Sequence, residues 1–129
     1  MPRPTLSRCQ ARVLAWYSFG MILARGGGLD RVAVHLAALT GSPIATVRRR
    51  LREFYLPAAS KRGRLRRQLE PEACFGPLLE WALSTWGDGP LALAIDATAL
   101  GDRMTVLCVS AVYRSCAVPV AWAVLPGNE

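Results

Sequence analysis

Residues 91–100 read LALAIDATAL. A continuous apolar run of this length, following the turn-forming Gly87-Asp88-Gly89-Pro90, predicts a strand from Leu91 to Asp96 that is covered on both faces. Asp96 is out of place in such a strand: either the strand ends there, or it serves to hold the carboxylate. Two more strand-like stretches follow, MTVLCVSAVY at 104–113 and CAVPVAWAVL at 116–125. They are bounded by Gly101-Asp102-Arg103, Arg114-Ser115 and Pro126-Gly127-Asn128, and connections this short predict an antiparallel three-stranded meander. Pro119 cannot donate to a ladder, which places the third strand at an edge or a bulge near that residue.

Upstream the period changes. PEACFGPLLEWALSTWGDG, from Pro71, carries Phe75, Leu78, Leu79, Ala82 and Leu83 at helical spacing, and Trp81 and Trp86 read as packing residues. At the other end, residues 5–24 place Leu6, Val13, Leu14, Tyr17, Met21 and Ile22 near helical spacing, with Gly26, Gly27 and Gly28 expected to stop the helix. The triple glycine is a connector: it follows a helix, and no Gly-Lys-Ser/Thr comes after it, so it is no phosphate loop.

Between these lies LDRVAVHLAALTGSPIATVRRRLREFY. A helix from Asp30 to Leu39 is expected to end at Gly41, and Ser42 is placed to cap a second helix with Pro43 at its first position. That helix sets Ile44, Val47, Leu51 and Phe54 on one face and Arg48, Arg49 and Arg52 largely on the other. Ala37, Gly41 and Thr46-Val47 follow the spacing of helix-turn-helix DNA readers, which this segment resembles. It departs from them at Ser42 and Arg50, where apolar residues are usual. The resemblance implies double-stranded DNA as partner, contacted by Thr46, Arg48, Arg49 and Arg52. The alternative is a helical hairpin with a solvated basic face. KRGRLRRQ at 61–68 brings Lys61, Arg62, Arg64, Arg66 and Arg67, either a solvated linker or a segment that follows the phosphate backbone. His35 reads as a packed or surface residue, not a ligand.

The charge distribution supports two different roles along the chain. Residues 1–70 hold 14 Lys and Arg against three acids, and residues 71–129 hold two against six. All of the 16 basic residues except Lys61 are Arg, whose planar fork suits phosphate and guanine. Cys9, Cys74, Cys108 and Cys116 lack zinc-site spacing and read as reduced, buried thiols. Without a secretion signal or the ~20 apolar residues of a membrane span, the expected location is the cytoplasm.

Residues 91–129 resemble the start of the catalytic domain of DDE transposases from bacterial insertion sequences, which have a ribonuclease H-like fold. The resemblance rests on Asp96-Ala97-Thr98, Tyr113-Arg114, Ala117-Val118-Pro119-Val120-Ala121-Trp122 and Leu125-Pro126-Gly127-Asn128. It implies an enzyme that cuts and joins DNA, often as a multimer, with Asp96 as the first catalytic, metal-binding carboxylate. Such chemistry uses two divalent cations, and Mg²⁺ suits hard carboxylate oxygens. The family's second Asp and its Glu have no counterpart here, since Asp102 reads as a turn residue and Glu129 as the terminal residue. The expected architecture is therefore α+β: a helical, helix-turn-helix-like DNA-binding domain at 1–70, then an incomplete ribonuclease H-like meander at 71–129, marginally stable by itself. Three functions stay open: a transposase portion inactive alone, a non-catalytic DNA-binding regulator or transposition inhibitor, and a decayed fragment.

Overall fold

A computed structural model describes residues 6–64 and 66–127. Among these residues four α-helices precede a three-stranded sheet, and the chain divides into two compact units between Leu69 and Glu70. The protein is α+β.

In the first unit, Ser7 opens helix α1 (Arg8–Ala24) with a capping box: its hydroxyl accepts from the Gln10 N–H at 3.2 Å, and the Gln10 side chain accepts from the Ser7 N–H at 2.9 Å. The inward line of α1 is Val13, Tyr17, Gly20 and Ala24. Leu14, Met21 and Ile22, expected on that line, are instead exposed. Gly20 is the reason. A Cβ there would stand 2.6 Å from Val32 Cγ1 and 2.9 Å from Leu36 Cγ, so the neighbouring helix approaches where α1 has no side chain. The helix also stops before its glycines. Arg25 takes the left-handed conformation at φ 50°; its N–H donates to the Ile22 carbonyl at 3.3 Å, and the Gly26 N–H donates to the Met21 carbonyl at 3.1 Å.

Helix α2 (Leu29–Thr40) ends at Gly41, φ 64°, and α3 (Ile44–Tyr55) follows. Ser42 does not cap α3. Its N–H donates to the Thr40 hydroxyl at 3.4 Å, and Pro43, expected at the first helical position, is itself the N-cap, its carbonyl accepting from the N–H groups of Thr46 and Val47. Ile44 is exposed and Phe54 half-buried, so the inward face of α3 is mainly Val47 and Leu51. These join Ala24, Val32, Ala33, Leu36 and Ala37 in one core, flanked by Val13, Tyr17 and Leu29. Burying Leu36 alone contributes roughly 1.5–3 kcal/mol.

The basic run is folded back onto this unit and is not a free linker. The Lys61 ammonium donates to the carbonyls of Phe54, at the end of α3, and Arg67, while the Gln10 side chain donates to the Gln68 carbonyl at 3.3 Å.

The second unit begins with helix α4 (Glu72–Leu83) and continues into β1 (Ala92–Leu100), β2 (Met104–Tyr113) and β3 (Cys116–Pro126), antiparallel in the order β1-β2-β3. Strand β1 corrects the sequence reading twice. It continues beyond Asp96 to Leu100, and it is an edge strand exposed along its whole length, not a strand covered on both faces. An apolar run describes what a strand is able to bury, not what is present to bury it.

Pro119 lies where expected. Strand β3 is the other edge, and the register shift that pairs Val109 with Ala121 and Ser110 with Pro119 leaves Val120 as the extra residue of a bulge. Arg114 and Ser115 form the β2–β3 turn with φ 46° and 65°, values that hairpin turns usually assign to Asn-Gly. Beyond β3, the Gly127 N–H donates to the Arg103 carbonyl at 2.9 Å, and Gly127 passes so close to the β1–β2 turn that a Cβ would overlap the Asp102 carbonyl oxygen.

Helix α4 lies on this sheet through Phe75, edge-on to Trp122 at 4.8 Å, and Trp86, beyond the helix end, stacks on Tyr113 at 4.6 Å. Trp86 thus packs as expected, but Trp81 is 68% exposed. Cys9 and Cys116 are exposed and Cys74 and Cys108 only half-buried, so the expectation of buried thiols fails.

Among the described residues, the buried hydrophobics of the second unit are Ala82, Ala111 and Val120, against seven in the core of the first unit, and two of the three are alanines that release little free energy on burial. This unit is expected to unfold first. In a urea titration, emission from the tryptophans of the second unit (Trp81, Trp86, Trp122) should shift before most helical ellipticity is lost, because three of the four α-helices lie in the first unit. Coincident transitions would contradict this ordering.

Candidate nucleic-acid interface and the Asp96 carboxylate

Helix α3 sorts its side chains by angle. Val47 and Leu51 point into the core, and at 100° per residue Arg49, midway between them, lies opposite. Arg52 flanks it, and both are exposed. Neither forms an ion pair or a side-chain hydrogen bond among the described residues. Arg48 differs: its guanidinium pairs with Asp30 in the first turn of α2. That pair is exposed on both sides and is worth only about 0–1 kcal/mol, so a phosphate is able to displace it. Thr46 is half-buried in the first turn of α3.

The basic run contributes unevenly. Lys61 is occupied by two carbonyls, as described above, and the Arg66 guanidinium donates to the Gly63 carbonyl at 2.9 Å. Arg62, Arg64 and Arg67 remain exposed. Arg62 and Arg67 share a recess with Arg50 and Glu53 of α3 and with the first turn of α1. The fold therefore carries positive charge from the outer face of α3 around to the basic run. Arg50 was legible in the sequence only as a misfit at an apolar position. It is exposed, so the misfit carries no burial penalty.

Burial raises the Tyr17 phenol above its ordinary pKa of 10, with neighbouring Tyr55 adding to the effect. The Tyr17 hydroxyl donates to the Gly27 carbonyl at 3.2 Å, a bond that fastens the connector and stands outside the arginine surface. His35 is exposed on α2.

Asp96 stands mid-strand on β1, paired across the ladder with Cys108, which in turn pairs with Trp122. These three therefore share one face of the sheet. The Asp96 carboxylate is exposed and accepts from the Thr98 hydroxyl at 3.4 Å. Asp102 occupies the turn between β1 and β2, as read from the sequence. Asn128 and Glu129 lie outside the described residues. No group of three or more His, Cys, Asp or Glu among the described residues is arranged to hold a metal ion. A two-cation site needs several carboxylates, and one aspartate with a threonine neighbour does not fit it.

No family model, curated protein or solved structure matches the chain. No helix among the described residues is long and apolar enough to cross a membrane.

Proposed function

We propose that the first unit is a helix-turn-helix module that binds the double-stranded ends of a transposable element, and that the second is the opening part of a DDE transposase's ribonuclease H-like sheet. The observation that carries the DNA reading is the turn between α2 and α3. Ala37 is 6% exposed, Gly41 takes φ 64° and Val47 is 9% exposed, so the helices pack closely while Arg49 and Arg52 stay outside. A helix held this way presents its first turns to a major groove, with neighbouring arginines on phosphates.

For the second unit, support comes from the motif residues and from β1, whose bare faces and free edge suit a sheet that extends beyond it. In this reading Asp96 is one carboxylate of a site that requires others, and the chain works through copies of itself or further segments on cytoplasmic DNA.

A non-catalytic regulator or transposition inhibitor is the second reading, favoured because Asp96 belongs to no group of three or more metal-ligating residues among the described residues. Both readings require the same DNA binding without metal. In EDTA, the chain should bind a duplex taken from the flanks of its own gene, with affinity falling steeply as salt rises. Asp96→Ala should leave that binding unchanged. Affinity that ignores salt, or that depends on Asp96, would count against the assignment. Restored cleavage or strand joining in a mixture that supplies the missing carboxylates, lost with Asp96→Ala, separates the transposase from the regulator.

A further inference from the structure

A second feature of the first unit lies apart from the outer face of α3. Between α1, α2 and α3 runs a groove of about 530 Å³, whose apolar lining is Val13 and the exposed Trp16 over the edges of the core residues Leu36, Val47 and Leu51. Arg8 and Arg12, one turn apart on α1, and Arg50 on α3 rim it, with the hydroxyl residues Thr40 and Ser42 and the thiol residue Cys9 also in its lining. No carboxylate residue is among those lining residues.

From Arg8 to Trp16 the floor extends only about 12 Å along α1, the length of a medium alkyl chain or two fused rings. The volume falls in the range of small-molecule sites, typically about 300–1,000 Å³, whose walls are mostly apolar with a few orienting polar groups. A nucleic-acid backbone would leave this apolar floor unused. A cation would meet three guanidinium groups.

We propose that this groove binds a small amphiphilic anion: a medium-length alkyl or aromatic body on the apolar floor, with a carboxylate or phosphate head held by Arg8, Arg12 and Arg50. Guanidinium groups form paired, charge-assisted hydrogen bonds to either head group. Because Arg50 belongs to α3 and also lines the recess shared with Arg62 and Arg67, an occupied groove withdraws one positive charge from the basic surface. The site stands independently of the DNA reading, and its binding is measurable without DNA.

Cys9 lines the groove and is exposed, while exposed Cys116 lies on β3 in the second unit and serves as an internal reference. The test is the alkylation rate of each cysteine by iodoacetamide in the full chain, resolved by peptide mass spectrometry. The added probes are decanoate, decyl phosphate or decyltrimethylammonium, each below micelle formation. At about ten times its dissociation constant, an occupying anion should slow alkylation of Cys9 by about tenfold and leave Cys116 unchanged. The cation should protect neither. Arg8→Gln with Arg12→Gln should remove the protection while circular dichroism stays that of the parent chain. If the double variant loses its helical signal, the single Arg12→Gln variant, altered in the groove and not in the recess, provides the same comparison. Protection by decanoate but not decyl phosphate, or the reverse, identifies the head group and supports the site. Equal protection by the cation, equal protection of Cys116, or no protection of Cys9 would overturn it.

Discussion

Replacing Arg49 and Arg52 together by alanine should weaken duplex binding by about ten- to a hundredfold and reduce the slope of log affinity against log salt by about two. The size follows from placement. Both guanidinium groups are exposed on the face of α3 opposite Val47 and Leu51, and neither has a side-chain partner to give up among the described residues. Each phosphate left without its arginine takes close to one counterion out of the salt slope, and a bidentate pairing with guanine would add roughly 1–3 kcal/mol of discrimination. Arg48→Ala should have the smaller effect, because the Arg48 guanidinium already pairs with Asp30. Anisotropy titrations of a labelled duplex at several salt concentrations measure both quantities. Unchanged affinity and slope in the double variant would remove α3 from the interface. Exposed side chains of this kind are not needed by the core, so its urea midpoint should match that of the parent.

Gly20→Val should destabilise the first unit by about 3 kcal/mol or more and abolish DNA binding with it. The position admits no side chain: even a Cβ falls 2.6 Å from Val32 Cγ1 and 2.9 Å from Leu36 Cγ, and both neighbours are fully buried. Gly20→Ala gives a test of sign. Helix propensity alone predicts a gain of about 0.5–1 kcal/mol for alanine over glycine inside a helix. Close packing of α1 on α2 predicts a loss, and that loss should be smaller when Gly20→Ala is introduced into a Val32→Ala chain, where the space is already open. Urea unfolding followed by helical ellipticity measures these variants and the single Val32→Ala chain. A more stable Gly20→Ala chain would mean that α1 and α2 do not meet as described.

Local chemistry made much of the fold legible. Gly41 marks the break between α2 and α3, Val47 and Leu51 mark the inward face, and the turn residues around 101–103 and 114–115 delimit the strands. Pro119 announced its edge and bulge because a missing N–H has few places to go. What escaped the sequence depends on packing between distant segments. The apolar pattern of α1 suggested Leu14, Met21 and Ile22 as inward positions, whereas the approach of α2 was decided by the one residue with no side chain to count, Gly20. Arg25 ends α1 in a conformation that the three following glycines would adopt at lower cost, and nothing in its identity signals this.

The candidate site divides the same way. Arg49 and Arg52 were readable from helical angle alone. The pairing of Arg48 with Asp30, and the engagement of Lys61 by the Phe54 and Arg67 carbonyls, required the folded chain. So did the groove rimmed by Arg8, Arg12 and Arg50, since Arg50 lies about forty positions from the other two in sequence. Asp96 was conspicuous as an acid in an apolar run, and the fold sharpens its description: a solvent-facing carboxylate in the middle of an edge strand, supported by Thr98.

Sequence reading by α3 is measured with two duplexes of equal length and composition at physiological salt, one from the ends flanking the gene and one with that sequence scrambled. A helix-turn-helix module reading element ends should bind the first about a thousandfold more tightly, with the preference abolished when Arg49 and Arg52 are alanine. Equal affinity for the two duplexes would contradict it, leaving the arginines of α3 as a sequence-neutral basic surface.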